Sequence, residues 1–303
     1  MITQFNSIIE LMEAFPDEQT CIDHLTAIRW RDGEFCPYCG STKVYHFSDR
    51  KTHKCGDCKQ RFSIKVGTIF EDTKLPLRKW FLAMWLITSH RKGIASTQLA
   101  KDLRITQKTA WFVLHRLRHA ARTQSFNAPL DGVVEMDSTF VGGKEKNKHE
   151  NKRTPGSQGG AGKAIVLGIK NRDGELRMQV IDNENARVVR AIIDANVAKG
   201  ATIMTDENVA YRFGRDYYHH TVNHSAGEYV RHYTIHTNGI ESVWALLKRQ
   251  IYGIHHWVST KHLPRYVNEM AWRQNRQDMG EGQRVNDMFA CIEGRLTYKA
   301  LIA

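Results

Sequence analysis

GVVEMDSTFV, at residues 132–141, is the stretch around which the second half of the chain is organised. Its dense apolar and β-branched residues predict a buried strand. The elements after it are a hairpin around the turn sequence NRDG, a helix, a short strand and two further helices. They are expected at residues 164–170, 175–181, 185–199, 202–205, 237–250 and 263–276. This order predicts an α/β layer.

Three acidic residues occupy positions in this pattern that can share one edge of the sheet. Asp137 lies in the first strand, Asp206 follows the short strand, and Glu241 lies near the start of a later helix. Any one of them alone is more typical of a helix cap or a solvated surface group. Together they offer the carboxylate oxygens that Mg²⁺ prefers. Two such ions about 4 Å apart can activate a nucleophile and stabilise a leaving oxygen in phosphodiester chemistry.

Lys248 follows Glu241 by seven residues, which is two turns on the same helix face. This position makes it a candidate for holding a DNA phosphate beside the carboxylates. The alternative is a surface lysine that interacts favourably with the C-terminal end of the helix dipole.

Four of the six cysteines form the pattern C-x2-C-x15-C-x2-C, and these are Cys36, Cys39, Cys55 and Cys58. Two such pairs, brought together by a hairpin with short strands at residues 43–47 and 61–66, predict a closed tetrahedral Zn²⁺ site. Disulfides are disfavoured because residues 1–30 show no export signal. A redox CxxC is a weaker alternative because it does not require two paired motifs.

The positive charge is concentrated in residues 35–126, which carry 18 basic and five acidic side chains in a chain of net charge +12. This concentration is typical of a module that binds nucleic acid, whereas a basic surface kept for solubility would spread the charge evenly. A short helix at residues 96–103 and a longer one from Thr106 to about residue 122 predict a helix-turn-helix, although many αα-hairpins look similar. The polar face of the longer helix supplies the candidate DNA-binding residues Lys108, His115, Arg118 and Arg122.

Membrane insertion is not expected, because no apolar run approaches the ~18 residues that span a bilayer. The apolar fraction of 41% and the charged fraction of 25% are ordinary for a globular protein. We therefore expect a cytoplasmic protein associated with the nucleoid of its host, with no membrane partner.

The order Asp137, Asp206, Glu241, with Lys248 after it, resembles the DDE transposases of bacterial insertion sequences. The phrases EMDSTFVGG at residues 135–143 and HTNGIESVWALLKR at residues 236–249 are similar to the branch that carries an N-terminal zinc ribbon. The likeness covers roughly residues 20–275. In that branch the third acidic position is often assigned to an asparagine, so Asn238, one turn before Glu241, is its rival. An ionised carboxylate binds Mg²⁺ better than an amide does, which favours Glu241.

The resemblance implies an α/β ribonuclease H-like catalytic domain preceded by a zinc ribbon and a helix-turn-helix region. The expected divisions are an N-terminal helical segment at 1–34, the zinc ribbon at 35–70, the helix-turn-helix region at 71–126, the catalytic domain at 127–280 and a C-terminal tail at 281–303.

The activity that the resemblance implies is transposition. The protein would bind the terminal inverted repeats of a mobile element, cleave a strand with Mg²⁺ or Mn²⁺, and transfer the freed 3′-OH to target DNA. It would act as a homo-oligomer in a synaptic complex, with Zn²⁺ as a structural ion. Two alternatives remain open. One is a DNA-binding regulator with an inactive catalytic domain, and the other is a structure-specific nuclease of the same fold that does not join ends.

Overall fold

The computed structural model describes residues 4–122, 128–143, 147, 149–153, 160, 162–172, 174–223, 226, 228 and 230–303. The chain forms two compact units. The first unit combines Met1–Arg122 with Arg276–Ala303, and the second unit is Thr123–Asn275. The predicted boundary between residues 126 and 127 falls outside the described residues. Residues 281–303, expected as a separate tail, belong to the first unit.

In chain order the elements are α1 (Ile8–Ala14), α2 (Glu18–Arg29), β1 (Val44–His46), β2 (Thr52–Cys55), β3 (Arg61–Ser63), α3 (Leu77–Ser89), α4 (Ser96–Leu103), α5 (Gln107–Ala120), β4 (Val133–Val141), β5 (Ala164–Asn171), β6 (Leu176–Ile181), α6 (Ala186–Asn196), β7 (Thr202–Thr205), β8 (Tyr218–Thr221), α7 (Asn238–Lys248), α8 (Leu263–Gln274), α9 (Glu281–Ala290) and α10 (Tyr298–Ile302). None of the described helices combines the length and the apolar character needed to cross a bilayer.

The ribbon of the first unit is a three-stranded antiparallel sheet in the order β1-β2-β3. Strand β2, which the sequence analysis did not predict, runs between the two expected strands and ends at Cys55. Beyond the ribbon, α3 buries aromatic residues such as Trp80 and Phe81, in agreement with its apolar character on nearly all sides. Helix α9 packs against α2 and α3.

Helices α4 and α5 meet at the tight turn that the sequence predicts. Arg104 ends α4 in the left-handed region at φ 49°, and the Thr106 hydroxyl accepts the backbone N–H of Thr109 at 3.2 Å. A side-chain oxygen at this position satisfies one of the free N–H groups at a helix start. The two helices therefore have the connection expected of a helix-turn-helix.

The polar face of α5 is not open to solvent along its length. His115 and Arg118, two of the candidate DNA-binding residues, are 0% and 1% exposed, so neither side chain is available at the surface. The C-terminal segment contacts α5, since the ring of Tyr298 lies against those of Trp111 and Phe112, and Arg116 Nε donates to the carbonyl of Leu296 at 3.1 Å. Helical periodicity cannot reveal that a segment 180 residues away contacts the helix. Lys108 and Arg122 are exposed.

The second unit is built on a five-stranded sheet in the order β6-β5-β4-β7-β8. Strand β5 pairs antiparallel with both β4 and β6. On the other side of β4, strand β7 pairs with β4 in parallel and β8 pairs with β7 in parallel. Helix α6 packs on one face through Val189 and Ile193, and α7 and α8 pack on the other through residues such as Trp244 and Val267. This is the α/β, ribonuclease H-like architecture that the resemblance implies. Strand β8 was not predicted.

Candidate active site and zinc site

Two adjacent parallel strands bring Asp137 and Asp206 to one level of the sheet. The register of β4 against β7 pairs Glu135 with Met204. Two residues beyond this pair, Asp137 still lies within β4, and Asp206 lies just after the end of β7. One oxygen of Asp206 accepts the backbone N–H of Asn208 at 3.0 Å, which orients the carboxylate at the strand end.

Helix α7 brings Glu241 to the same edge. Trp244 Nε1 donates to Asp137 Oδ2 at 2.8 Å, and Glu241 stands three residues earlier, on the same helix face. The hydroxyl of Thr237 donates to Glu241 Oε1 at 3.0 Å. Gly168 of β5 lies opposite Asp137, and a Cβ there would come within 2.6 Å of the Trp244 ring. A glycine at this position therefore allows α7 to approach the strand that carries Asp137.

The electrostatics of Asp137 reflect this convergence. Burial raises the pKa of its carboxyl to about 6, and the charges of Asp206 and Glu241 push the pKa in the same direction. Hydrogen bonds from Trp244 and from the backbone N–H of Ser138, the latter at 2.7 Å, oppose the rise. A buried carboxyl beside two others is an environment that favours a bound cation.

Glu135 is a buried acidic residue two positions before Asp137 on the same side of β4. It is 1% exposed, and its Oε1 pairs with Arg172 Nη2 at 3.2 Å. The same oxygen lies 3.4 Å from His236 Nδ1, while Arg172 also donates to the carbonyl of Thr234 at 2.9 Å. The sequence gives no sign that Arg172 belongs to this site.

The other oxygen of Glu135 holds the start of α7. Its Oε2 accepts the backbone N–H of Ile240 at 2.9 Å. A Cβ on Gly239 would lie 2.6 Å from that oxygen, so the helix approaches this closely because residue 239 is glycine. Two hydrogen bonds, one from Ile240 to Glu135 and one from Trp244 to Asp137, thus fix α7 against β4.

The remaining predicted residues of this site lie on α7. Asn238 is its first residue and Lys248 its last, and both are exposed. Their spacings of three and seven residues from Glu241 put all three on one helix face. Whether Asn238 or Glu241 completes the acidic set stays a prediction.

The acidic set offers three carboxylates, and oxygen donors of this kind suit Mg²⁺ or Mn²⁺. Their oxygens do not all lie within 4.8 Å of one another. Among the described residues, the four cysteines are the group of possible metal ligands whose ligand atoms all lie within 4.8 Å of one another. The carboxylates therefore form a more open cluster than the cysteines do.

The cysteine cluster has the dimensions of a zinc site. The Sγ atoms of Cys36 and Cys58 are 3.7 Å apart, and those of Cys39 and Cys55 are 3.6 Å apart. Four sulfurs around Zn²⁺ at 2.3 Å stand roughly 3.8 Å apart in a tetrahedron. All six cysteines are free, so the predicted alternative of disulfides does not apply to this structure. The backbone N–H groups of Asp57 and Cys58 point at the sulfur of Cys55, which suits a thiolate ligand.

Two parts of the chain match family models of known proteins. Residues 129–275 match the family model of the ISXO2-like transposase domain, and residues 16–61 match that of the transposase zinc-ribbon domain. An uncharacterized protein in transposable element ISH50 of Halobacterium salinarum is 29% identical over 283 residues, which cover 87% of this chain and 92% of that protein.

Among solved structures, the chain is similar to the one described as a pre-cleavage Mos1 transpososome, at 12% identity and a TM-score of 0.25. That match covers 73% of this chain and 80% of the other. At this TM-score the two backbones differ too much for residues to be equated.

Proposed function

We propose that this chain is a DDE transposase with an N-terminal zinc ribbon, which cuts DNA at the ends of a mobile element and joins the freed ends to target DNA. The matches to the ISXO2-like transposase domain and to the transposase zinc-ribbon domain support this proposal. The observation that carries the proposal is the convergence of Asp137, Asp206 and Glu241 at one sheet edge, with the pKa of Asp137 raised to about 6. The relative in transposable element ISH50 supports the same biological setting.

The acidic residues are the proposed ligands of divalent ions. Asp137, Asp206 and Glu241 would hold Mg²⁺ or Mn²⁺, with Asn238 as a rival or an additional ligand. Such ions, when bound, activate a water or 3′-OH nucleophile and stabilise the leaving oxygen of a phosphodiester. Trp244 orients the Asp137 carboxylate through its N–H. No covalent bond between protein and DNA is needed in this scheme.

DNA recognition is assigned to the basic residues of the first unit and to Lys248. Residues 35–126 carry most of the excess positive charge and would bind the terminal inverted repeats. Lys108 and Arg122 are exposed and remain proposed contacts, whereas buried His115 and Arg118 cannot reach DNA in this conformation. Lys248 would hold a phosphate near the carboxylates. Pairing of two element ends calls for a homo-oligomer.

The four cysteines would bind one structural Zn²⁺ and hold the ribbon together. A ribbon this small buries little apolar surface, since its core holds Cys36, Cys55 and Phe62 as fully buried residues. Metal binding would therefore supply much of its folding free energy.

The test is an assay of cleavage and joining with linear DNA that carries the element's own ends and Mg²⁺. Asp137→Ala, Asp206→Ala and Glu241→Ala should each abolish both products while leaving DNA binding intact, because the lost ligand acts on transition-state charge. Asp182→Ala, which removes an exposed carboxylate of the same unit, is the matched control. Asn238→Ala decides the third position: a total defect beside an active Glu241→Ala would transfer that role to Asn238.

Products formed by Asp137→Ala, or by the parent protein when Mg²⁺ is omitted, would overturn the proposal. Omission of Mg²⁺ is preferable to a chelator, because a chelator would also remove Zn²⁺ from the cysteines. Cutting of branched DNA without joining would favour the nuclease alternative.

A further inference from the structure

The segment that follows α7, residues 248–262, is basic and aromatic, and we call it the post-α7 segment. No acidic residue occurs between Glu241 and Glu269. Within the post-α7 segment stand Lys248, Arg249 and Lys261, together with three histidines and two large aromatic residues. A surface with this one-sided charge is complementary to a polyanion.

The backbone of the post-α7 segment is irregular. Helix α7 continues directly into a π-helical stretch at Arg249–His255, and His256 then adopts φ 60°, a value that non-glycine residues seldom take. Stretches of π-helix and left-handed residues persist where the surrounding structure or a function maintains them. The tyrosine of this stretch is anchored, because the hydroxyl of Tyr252 donates to the carbonyl of Gly142 at 3.0 Å.

Trp257 stands just after this irregular backbone and is 70% exposed. Burial of an indole side chain stabilises the folded state, and an exposed indole does not contribute this stabilisation. Lys248, Arg249 and Lys261 are exposed in the same segment. Exposed aromatic faces among positive charges are the elements with which proteins bind single-stranded nucleic acid.

The segment starts beside the candidate active site. Lys248 lies seven residues after Glu241, which is about 10 Å along the helix axis. The anchor of Tyr252 is Gly142, which follows directly after β4, the strand that carries Asp137. The start of the post-α7 segment is therefore close enough to the carboxylates to contact the same DNA strand that they bind.

We infer that the post-α7 segment binds an unpaired stretch of the DNA strand next to the cleavage site, with Trp257 stacked on a base and Lys248, Arg249 and Lys261 at phosphates. The strand must be unpaired there, because the face of a base is covered by its neighbours inside a duplex. The inference rests on the proposed function. It adds that the DNA end is frayed or melted when bound, and that Trp257 recognises the unpaired base.

The test is fluorescence anisotropy of the full chain with a labelled oligo-dT of about 16 nucleotides, without divalent ions. Trp257→Ala should weaken binding about 5- to 150-fold, the range of one lost base–aromatic stack. Tyr218→Ala is the matched control, since this tyrosine is 68% exposed on β8 of the same unit, and binding should stay at the parent level. Trp257→Phe should retain most of the affinity. A duplex of equal length should respond little to Trp257→Ala.

An equal loss in Trp257→Ala and Tyr218→Ala, or parent-like binding by Trp257→Ala, would overturn the inference. So would an equal loss on the duplex. A second readout uses oligo-dT containing 5-iodouracil: photo-crosslinks should map to residues 248–262, and crosslinks confined to residues 35–126 would refute the placement. Neither measurement depends on metal or cleavage, so a failure here is distinguishable from a failure of the Asp137→Ala test.

Discussion

Removal of the Glu135 carboxylate should release the start of α7 from β4. In Glu135→Ala the N–H of Ile240 loses its acceptor, which costs about 1–3 kcal/mol for a buried group. Arg172 loses its carboxylate partner as well, and breaking a buried ion pair costs about 3–5 kcal/mol. Arg172 keeps its bond to the carbonyl of Thr234, so we expect the lower end, about 3 kcal/mol.

Gly239→Ala perturbs the same contact from the helix side. Its Cβ would stand 2.6 Å from Glu135 Oε2, so α7 must move away from β4. In the double variant the shorter side chain at position 135 leaves room for that Cβ. The two changes should therefore be strongly non-additive, with the double variant close to Glu135→Ala alone, as expected for residues in direct contact.

The measurement is amide hydrogen exchange of the peptide that spans the start of α7, read by mass spectrometry beside urea unfolding. A local loss of about 3 kcal/mol corresponds to exchange roughly 100-fold faster. Asp23→Ala is the control, because Asp23 also pairs with an arginine, Arg50 at 2.8 Å, but both side chains are largely exposed. Exposed pairs contribute about 0–1 kcal/mol. Exchange at Ile240 that is unchanged in Glu135→Ala, or additive behaviour of the two variants, would refute the reasoning.

Two further predictions concern the metal sites. Cys36→Ser should lower the zinc content measured by atomic absorption below one per chain and increase exchange across the ribbon, because metal binding supplies its folding free energy; full zinc content would contradict the assignment. Asp137→Asn should stabilise the Mg²⁺-free protein by up to about 3 kcal/mol near pH 7.5, because the folded state raises the pKa of this carboxyl from 3.8 to about 6 and so disfavours its charged form. The gain should vanish as the pH falls towards about 4, where both states bind the proton, and a gain in urea midpoint that persists there would contradict it.

The parts of the site that the sequence predicts are those that follow from local periodicity and chain order. Apolar runs identify β4 and β7, and each of Asp137 and Asp206 lies in or directly after one of these strands. The spacing of Glu241, Trp244 and Lys248 gives one helix face. These inferences need no knowledge of distant contacts, which is why they are accessible from sequence.

The missed features depend on tertiary contacts or on weak local signals. Strands β2 and β8, THKC and YHHT, contain too few apolar residues to show a strand pattern. The burial of Arg118 depends on how α5 packs in the folded unit, which no local pattern encodes. The need for glycine at positions 168 and 239 becomes visible only when α7 is docked on the sheet.

The two hydrogen bonds between α7 and β4 explain how a cluster of like charges is held together before any cation binds. Both donors are neutral N–H groups, one from the indole of Trp244 and one from the backbone of Ile240 at the positive end of the helix dipole. The acceptors, Asp137 and Glu135, point to the same side of one strand, so the helix is fixed at two points one turn apart. Repulsion between Glu241 and Asp137 is thereby opposed by these two hydrogen bonds. Such preorganisation reduces the rearrangement required when a divalent ion arrives, because the ligands already stand on rigid elements.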